Sequence, residues 1–369
     1  MFESFIPISQ PSITQKEIEY VNDAVTSTWI SSLGKYLDRF EEEFAAFCGT
    51  KYAITTANGT VAIHLALKAL GIGEGDEVIV PDLSFIATAN AVTYSGAKAV
   101  FVDIDPFNLC IDPNLIEAVI TPKTKAIMPV HLYGHPADMI AINALAKKYN
   151  LWVIEDAAEA HGASIDGKKV GNWGFCGTFS FYGNKNLTTG EGGMITTNDE
   201  AFYQKCRYLR DHAMSKEKRY WHTELGYNYR MTNLQAALGV AQMERLDELM
   251  MQRKKIFRWY DQALECAKDY LRLNRTYPWA ENAYWLVCAE FFNYQELERN
   301  QLMQALRARG IDSRPYFYPM SAMPYFTTAD TPFTHKIAQQ GINLPTYFDL
   351  TEDMVHRICE SLVELVCVV

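Results

Sequence analysis

Residues 77–103 read EVIVPDLSFIATANAVTYSGAKAVFVD, and this stretch decides the fold. Glu77–Pro81 is a short apolar run of strand length. Phe85–Tyr94 spaces its apolar residues as a helix does, and Lys98–Asp103 is a second apolar run. Strand, helix, strand in one direction is a βαβ unit. The alternation continues on both sides. Lys125–Val130 and Leu151–Glu155 read as further strands; Thr60–Leu70, Leu115–Ile120 and Met139–Tyr149 read as helices. Strands that alternate with helices give an α/β layer around a largely parallel sheet. Thr178–Tyr182 and Gly193–Thr197 add two strands around a glycine-rich turn.

Outside this region the periods change. Leu37, Phe40, Phe44 and Phe47 predict an amphipathic helix over Lys35–Cys48. A long helical pattern runs from Thr232 through Tyr260 and is expected to join two domains. Beyond it come a strand (Tyr284–Phe292), a charged helix (Glu296–Arg309), a Pro/Tyr-rich stretch (Arg314–Tyr325) and a last helix (Thr351–Val366). The expectation is a large domain over 1–250, N-terminal segment included, and a smaller α+β domain over 251–369.

Length and composition bound the function. At roughly 150 residues per domain, 369 residues make two or three domains. Lys plus Arg is 34 and Asp plus Glu is 44, a net charge of −10, which argues against a nucleic-acid binder with its basic face. No apolar run approaches a membrane span. Met1–Pro7 shows no leader signal. Eight scattered cysteines form no C-x-x-C pair, so neither a zinc site nor a disulfide framework is expected, and no metal. The reading is a cytoplasmic protein with reduced thiols.

Four features carry chemistry. Ala57-Asn58-Gly59-Thr60 precedes a helix, whose free N–H groups favour phosphate, although for this motif alone an ordinary helix cap is the better reading. In Val153–His161 (VIEDAAEAH), Asp156 follows an apolar strand, where carboxylates meet ligands. A buried aspartate there needs a cationic partner; a helix-capping role is the alternative. His161 reads as a core or interface histidine. Thr178–Gly193 (TFSFYGNKNLTTGEGG) sets Lys185 between a strand and a glycine-rich turn. Most lysines are solvated, but one in apolar surroundings can act as nucleophile or proton shuttle. The glycines match neither a dinucleotide fingerprint nor a Walker A loop. Gly226–Thr232 (GYNYRMT) enters the long helix with Thr232 as N-cap.

In order, S/A-N-G-T, E-D-A-A-E/Q-A, F-S-F-x-x-x-K, G-E-G-G and G-x-N-x-R-M, these features resemble the DegT/DnrJ/EryC1/StrS sugar-nucleotide aminotransferases. The spacing from Asp156 to Lys185 fits, and the likeness runs from Pro11 to the last helix. The resemblance implies a fold type I aminotransferase: a large domain with a mostly parallel mixed sheet between helices and a smaller α+β C-terminal domain. It implies pyridoxal 5′-phosphate as cofactor, held as an internal aldimine on Lys185. It also implies a homodimer with shared active sites. Asp156 would pair with the pyridinium nitrogen, Phe85 would stack on the ring, and Gly59, Thr60 and Ser180 would hold the phosphate. Asn228 would arrive from the other subunit, and Glu159 would lie near the phenolic oxygen.

The implied reaction is a ping-pong transfer from L-glutamate to C4 of a nucleotide-linked 4-keto-6-deoxyhexose. Ser27–Gly34, Val130–Pro136, Tyr220–His222 and Arg314–Pro319 are similar to members that act on GDP-linked sugars. A dTDP- or UDP-linked keto sugar is the alternative, as is a non-catalytic relative that binds the cofactor or a nucleotide sugar. The related 3-dehydratases have histidine where this sequence has Lys185. Trp29, His222, Arg314 and Tyr318 are candidate contacts to sugar or nucleotide. A place in surface polysaccharide synthesis, such as the O-antigen of lipopolysaccharide, is expected from the resemblance alone.

Overall fold

The computed structural model describes residues 5–367. Met1–Ser4, part of the stretch read for a leader, lie outside the described residues. Seven strands form the central sheet: β1 (Tyr52–Thr56), β2 (Glu77–Pro81), β3 (Lys98–Val102), β4 (Thr124–Ile127), β5 (Trp152–Asp156), β6 (Cys176–Ser180) and β7 (Gly193–Thr197). Their order is β1-β7-β6-β5-β4-β2-β3. β3, β2, β4, β5 and β6 run parallel, and β7 lies antiparallel between β6 and β1. The sheet is therefore mostly parallel and mixed. β2 is buried along its whole length, as a strand covered by helices on both faces must be.

A second sheet comes from the C-terminal part: β8 (Leu271–Leu273), β9 (Val287–Phe291), β10 (Arg314–Pro315) and β11 (Gly341–Leu344), in the order β8-β9-β11-β10. All its pairings are antiparallel. Helices Leu246–Ala263 and Glu352–Val366 supply Ile256, Tyr260, Val355, Ile358 and Leu362 to its core. Ile6 joins this core too, with its N–H donated to the Gly310 carbonyl at 2.8 Å.

Helices Lys35–Cys48 and Met139–Tyr149 and strands β2 and β7 keep the limits expected from the sequence. The long helix does not. It is two helices, Asn233–Met243 and Leu246–Ala263. At the break, the Arg245 side chain binds Glu17 (2.8 Å) and Glu248 (3.2 Å). No proline or glycine marks that break, so apolar periodicity passes through it. The expected helix Leu115–Ile120 is one α-turn, Pro113–Ile116, and a 3₁₀ turn. Thr232 does cap its helix, in a reciprocal arrangement with Gln235.

Two carboxylates fasten the C-terminal part to the sheet. Asp82, just past β2, accepts from Ser321 N (2.7 Å), Ser321 Oγ (2.7 Å) and Thr331 Oγ1 (2.5 Å). Asp103, just past β3, accepts from the Phe333 and Thr334 amides, both at 2.8 Å, at the start of helix Pro332–Gln340. Asp82→Ala would strand three buried donors, each costing about 1–3 kcal/mol when unpaired. The expected loss is roughly 3 kcal/mol or more of folding stability, read as a lowered urea midpoint.

Candidate active site

The site lies where the parallel strands end, the edge at which open α/β sheets bind ligands. Asp156 is the last residue of β5. Its N–H donates to Pro129 O (2.9 Å) and its carbonyl accepts from His131 N (3.0 Å), so the backbone is fixed on the side of the next connection. Strand alternation then sends Glu155 and Asp156 to opposite faces. Glu155 faces a loop and accepts from the amides of Gly171 (2.8 Å), Trp173 (2.8 Å) and Gly174 (2.7 Å), and it meets His131 Nε2 at 3.0 Å. Asp156 accepts from Thr88 Oγ1 (2.7 Å) and Ala158 N (3.2 Å). Burial raises its pKa, opposed by those two hydrogen bonds and by the charge of Lys185. Among the described residues no Lys or Arg comes within ion-pair distance of it. The cationic partner expected for this aspartate is therefore not a side chain of the same protomer.

Lys185 ends a turn after β6 and Tyr182, its N–H donated to Tyr182 O at 2.9 Å. Its Nζ lies 3.7 Å from Glu159 Oε1 and 3.7 Å from the centre of the Trp285 ring. Only 10% of the side chain is exposed. Burial lowers the pKa of the amine, while the charges of Glu159 and Asp156 work the other way. Glu159 turns its second oxygen to the Tyr133 amide at 2.9 Å. Burial is the main cause that pushes its carboxyl up to about 7, against the pull of Lys185. Tyr133 has φ 52°, a left-handed conformation costly for a residue with a side chain. That turn aims its amide at Glu159, and its ring stacks on Phe317 at 5.3 Å.

A second corner forms at the start of helix Gly59–Ala69. The Asn58 side chain caps the Val61 amide at 3.0 Å, and the amides of Gly59 and Thr60 have no protein acceptor among the described residues. Ser180, the last residue of β6, lies against Gly59: a Cβ there would sit 2.8 Å from Ser180 Cβ. Glycine is thus required by close approach. Phe85 is 56% exposed, with its ring 6.0 Å from Phe317.

None of the remaining sequence candidates pairs with Lys185, Asp156 or Glu159 among the described residues. Asn228 is exposed and accepts from Arg230 Nε at 3.1 Å. Trp29 is exposed, its carbonyl held by Asn233. His222 is exposed and contacts the His212 carbonyl at 2.8 Å. Arg314 pairs with Asp312 at 2.8 Å. Tyr318 donates to Glu296 (3.0 Å) and accepts from Arg299 (3.1 Å). His161 is buried among Phe44, Phe179 and Phe181, with no partner for either nitrogen among the described residues. Burial drives its pKa down to about 3, so it is neutral.

Thr88, Trp285 and Tyr133 belong to the site and were not singled out from the sequence. Trp285 lies 100 residues beyond Lys185, and no local pattern ties the two together. A separate cavity of about 1170 Å³, lined by Glu41, Arg207, Arg210 and Arg230 among others, does not include Lys185, Asp156 or Glu159.

The groups fit one cofactor. Bare amides at a helix start with Ser180 suit a phosphate. The buried Asp156, without a protein cation, suits a protonated ring nitrogen, and Lys185 supplies an amine for an aldehyde. Such a set on this α/β framework defines a pyridoxal 5′-phosphate-dependent aminotransferase of fold type I. The chain belongs to the DegT/DnrJ/EryC1/StrS aminotransferase family, whose model matches residues 11–363. It is 47% identical to a GDP-perosamine synthase of Caulobacter vibrioides, over 97% of both chains. It is 46% identical to a GDP-perosamine synthase of Escherichia coli O157:H7, over 98% of both. Its structure is similar to that of S. venezuelae DesV in complex with a ketimine intermediate, with a TM-score of 0.91, 33% identity and 98% of each chain covered. Among the described residues, no helix is long and apolar enough to cross a membrane and no cluster suits a metal ion.

Proposed function

We propose that this enzyme transfers the amino group of L-glutamate to C4 of GDP-4-keto-6-deoxymannose and releases GDP-perosamine. The observation that carries this reading is the identity of 46–47% over nearly the whole chain to two GDP-perosamine synthases. The test is turnover. Purified protein with glutamate is assayed against GDP-, dTDP- and UDP-linked 4-keto-6-deoxyhexoses, and the GDP sugar is expected to be the preferred substrate. Turnover of a dTDP or UDP sugar without the GDP sugar overturns the proposal.

Pyridoxal 5′-phosphate supplies the electron sink for carbanion charge. The chain's own groups do the rest. The Gly59 and Thr60 amides and Ser180 would hold the phosphate. Asp156, oriented by Thr88 and Ala158, would keep the ring nitrogen protonated. Phe85 would lie against the ring. Lys185 would bind the aldehyde, and its neutral amine is the group that would carry a proton to and from the substrate. Glu159, placed by the Tyr133 amide, faces Lys185 from the side. Gly59→Ala is expected to weaken retention of pyridoxal 5′-phosphate by roughly tenfold or more while the chain still folds, because a Cβ would push β6 out of the phosphate corner. Equilibrium dialysis reads this directly.

We propose a homodimer, which the family resemblance implies. Trp29, Ile30, Leu33, Tyr220, Trp221 and Leu225 are large apolar side chains left exposed on the protomer, surface that a second copy would cover. By the same resemblance, Asn228 of the second copy would reach the phosphate. The division at residue 250 falls inside helix Leu246–Ala263, so we propose that this helix links the cofactor-binding and C-terminal domains. All eight cysteines are free, which favours a cytoplasmic enzyme.

A further inference from the structure

Three acidic residues, Glu155, Asp156 and Glu159, lie in or just past β5, but only one is placed to exchange a proton with the lysine. Glu155 is turned to the other face and saturated by three amides and His131. Asp156 has both oxygens engaged, by Thr88 and Ala158. Glu159 has one oxygen fixed by the Tyr133 amide, and its other oxygen is the carboxylate atom within ion-pair range of Lys185 Nζ. We propose that Glu159 is a further proton-transfer residue, the store that takes a proton from the Lys185 ammonium and gives it back.

The step is a transfer within the pair. Lys185–NH₃⁺ with Glu159–COO⁻ becomes Lys185–NH₂ with Glu159–COOH; one N–H bond breaks, one O–H bond forms, and the net charge of the pair stays zero. Neither form leaves an unpaired charge, whereas loss of the proton to water would leave a lone buried anion. The shifts agree in direction. Burial lowers the amine and pushes the carboxyl up to about 7, so the two approach each other. The Asp156 charge raises Glu159 further, and Glu159 in turn acts on the Tyr133 phenol and on the Cys110 and Cys288 thiols. Burial raises the phenol and both thiols, so all three are neutral near pH 7 and do not compete for the proton.

This proposal rests on Lys185 as the reactive amine but not on the identity of the sugar. Its test uses the full-length chain stripped of cofactor. Lys185 is labelled with fluorodinitrobenzene across pH 5–10, and the labelled peptide is counted by mass spectrometry. The wild-type profile is expected to carry an inflection near pH 7, and difference infrared spectra are expected to show a protonated carboxyl that disappears through the same range. In Glu159→Gln, which keeps an acceptor for the Tyr133 amide, the carboxyl band should vanish. The remaining midpoint should fall by at least one pH unit, because the anion that favoured the ammonium is gone. A wild-type profile with one midpoint in the ordinary lysine range overturns the proposal, as does an infrared band or a midpoint unchanged by Glu159→Gln. If Glu159→Gln does not fold, the wild-type profile and spectrum decide alone. Failure of the GDP-sugar assay would not touch these readouts, and their failure would leave the sugar assignment standing.

Discussion

Lys185→Ala is expected to lower the turnover number by roughly 10⁴-fold or more, with the fold intact. Proton transfer by a positioned group contributes about 10²–10⁴-fold, and this variant also loses the amine that captures the aldehyde. Among the described residues no other lysine pairs with Glu159 or Asp156 or lies over the Trp285 ring. Lys185→Arg should be equally inactive, since a guanidinium stays protonated and cannot take up the aldehyde. Stability should respond in the opposite sense. In the wild-type apoprotein Lys185 is a buried amine next to a carboxyl already pushed up to about 7. When the amine goes, Glu159 can become neutral rather than remain as an unpaired charge, so the usual penalty of breaking a buried pair is largely avoided. The melting temperature of the apoprotein is expected to hold or rise while turnover is lost, a trade seen where a site is kept strained for function. A thermal melt with single-turnover kinetics on the same preparation checks both; activity within tenfold of wild type would remove Lys185 from the mechanism.

The sequence discloses what local pattern controls. β2, buried on both faces, is a short apolar run, and β7 follows a glycine-rich turn, so both are legible at their true limits. The edge strand β1 is buried at four of its five residues, but Tyr52–Thr56 ends in two threonines and does not read as an apolar run; the helix Gln15–Thr26 buries only Glu17 and Ala24, so no core-facing apolar stripe marks it. Long-range choices are less legible. Asp82, Asp103 and Asp156 all follow apolar strands and all are buried. The sequence rule that such carboxylates meet ligands treats them alike. The structure separates them: Asp82 and Asp103 are consumed by Ser321, Thr331, Phe333 and Thr334 from the C-terminal part. Those donors lie over 200 residues away, so nothing near Asp82 could announce them. Lys185 stood out through the glycine-rich turn around it, whereas its neighbour Trp285 depends wholly on the meeting of distant segments.

That separation makes Asp156→Asn the sharpest test of the cofactor's electrostatics. The side chain keeps its shape, so the Thr88 hydroxyl and Ala158 amide still have one oxygen to share, but the charge is gone. A lost preorganised electrostatic contact of this kind costs about 10²–10³ in turnover, or roughly 3–4 kcal/mol, and that is the expected fall. The apoprotein should move the other way. Burial raises the Asp156 pKa in the folded chain. A raised acid pKa means that the folded apoprotein holds a proton the unfolded chain would release, so apoprotein stability falls as pH rises through this range. The carboxamide that replaces the carboxyl does not titrate, and the apoprotein of the variant should lose that part of the pH dependence. Cofactor binding reverses the sign, because a protonated ring nitrogen favours the ionised carboxylate. Binding therefore releases a proton, and wild-type affinity for pyridoxal 5′-phosphate should rise with pH across the same range. In Asp156→Asn this part of the pH slope should vanish, and affinity should drop. Calorimetric titrations of both apoproteins in two buffers of different ionisation heat measure the proton directly; the same release from wild type and variant would show that Asp156 is not the group that meets the ring nitrogen.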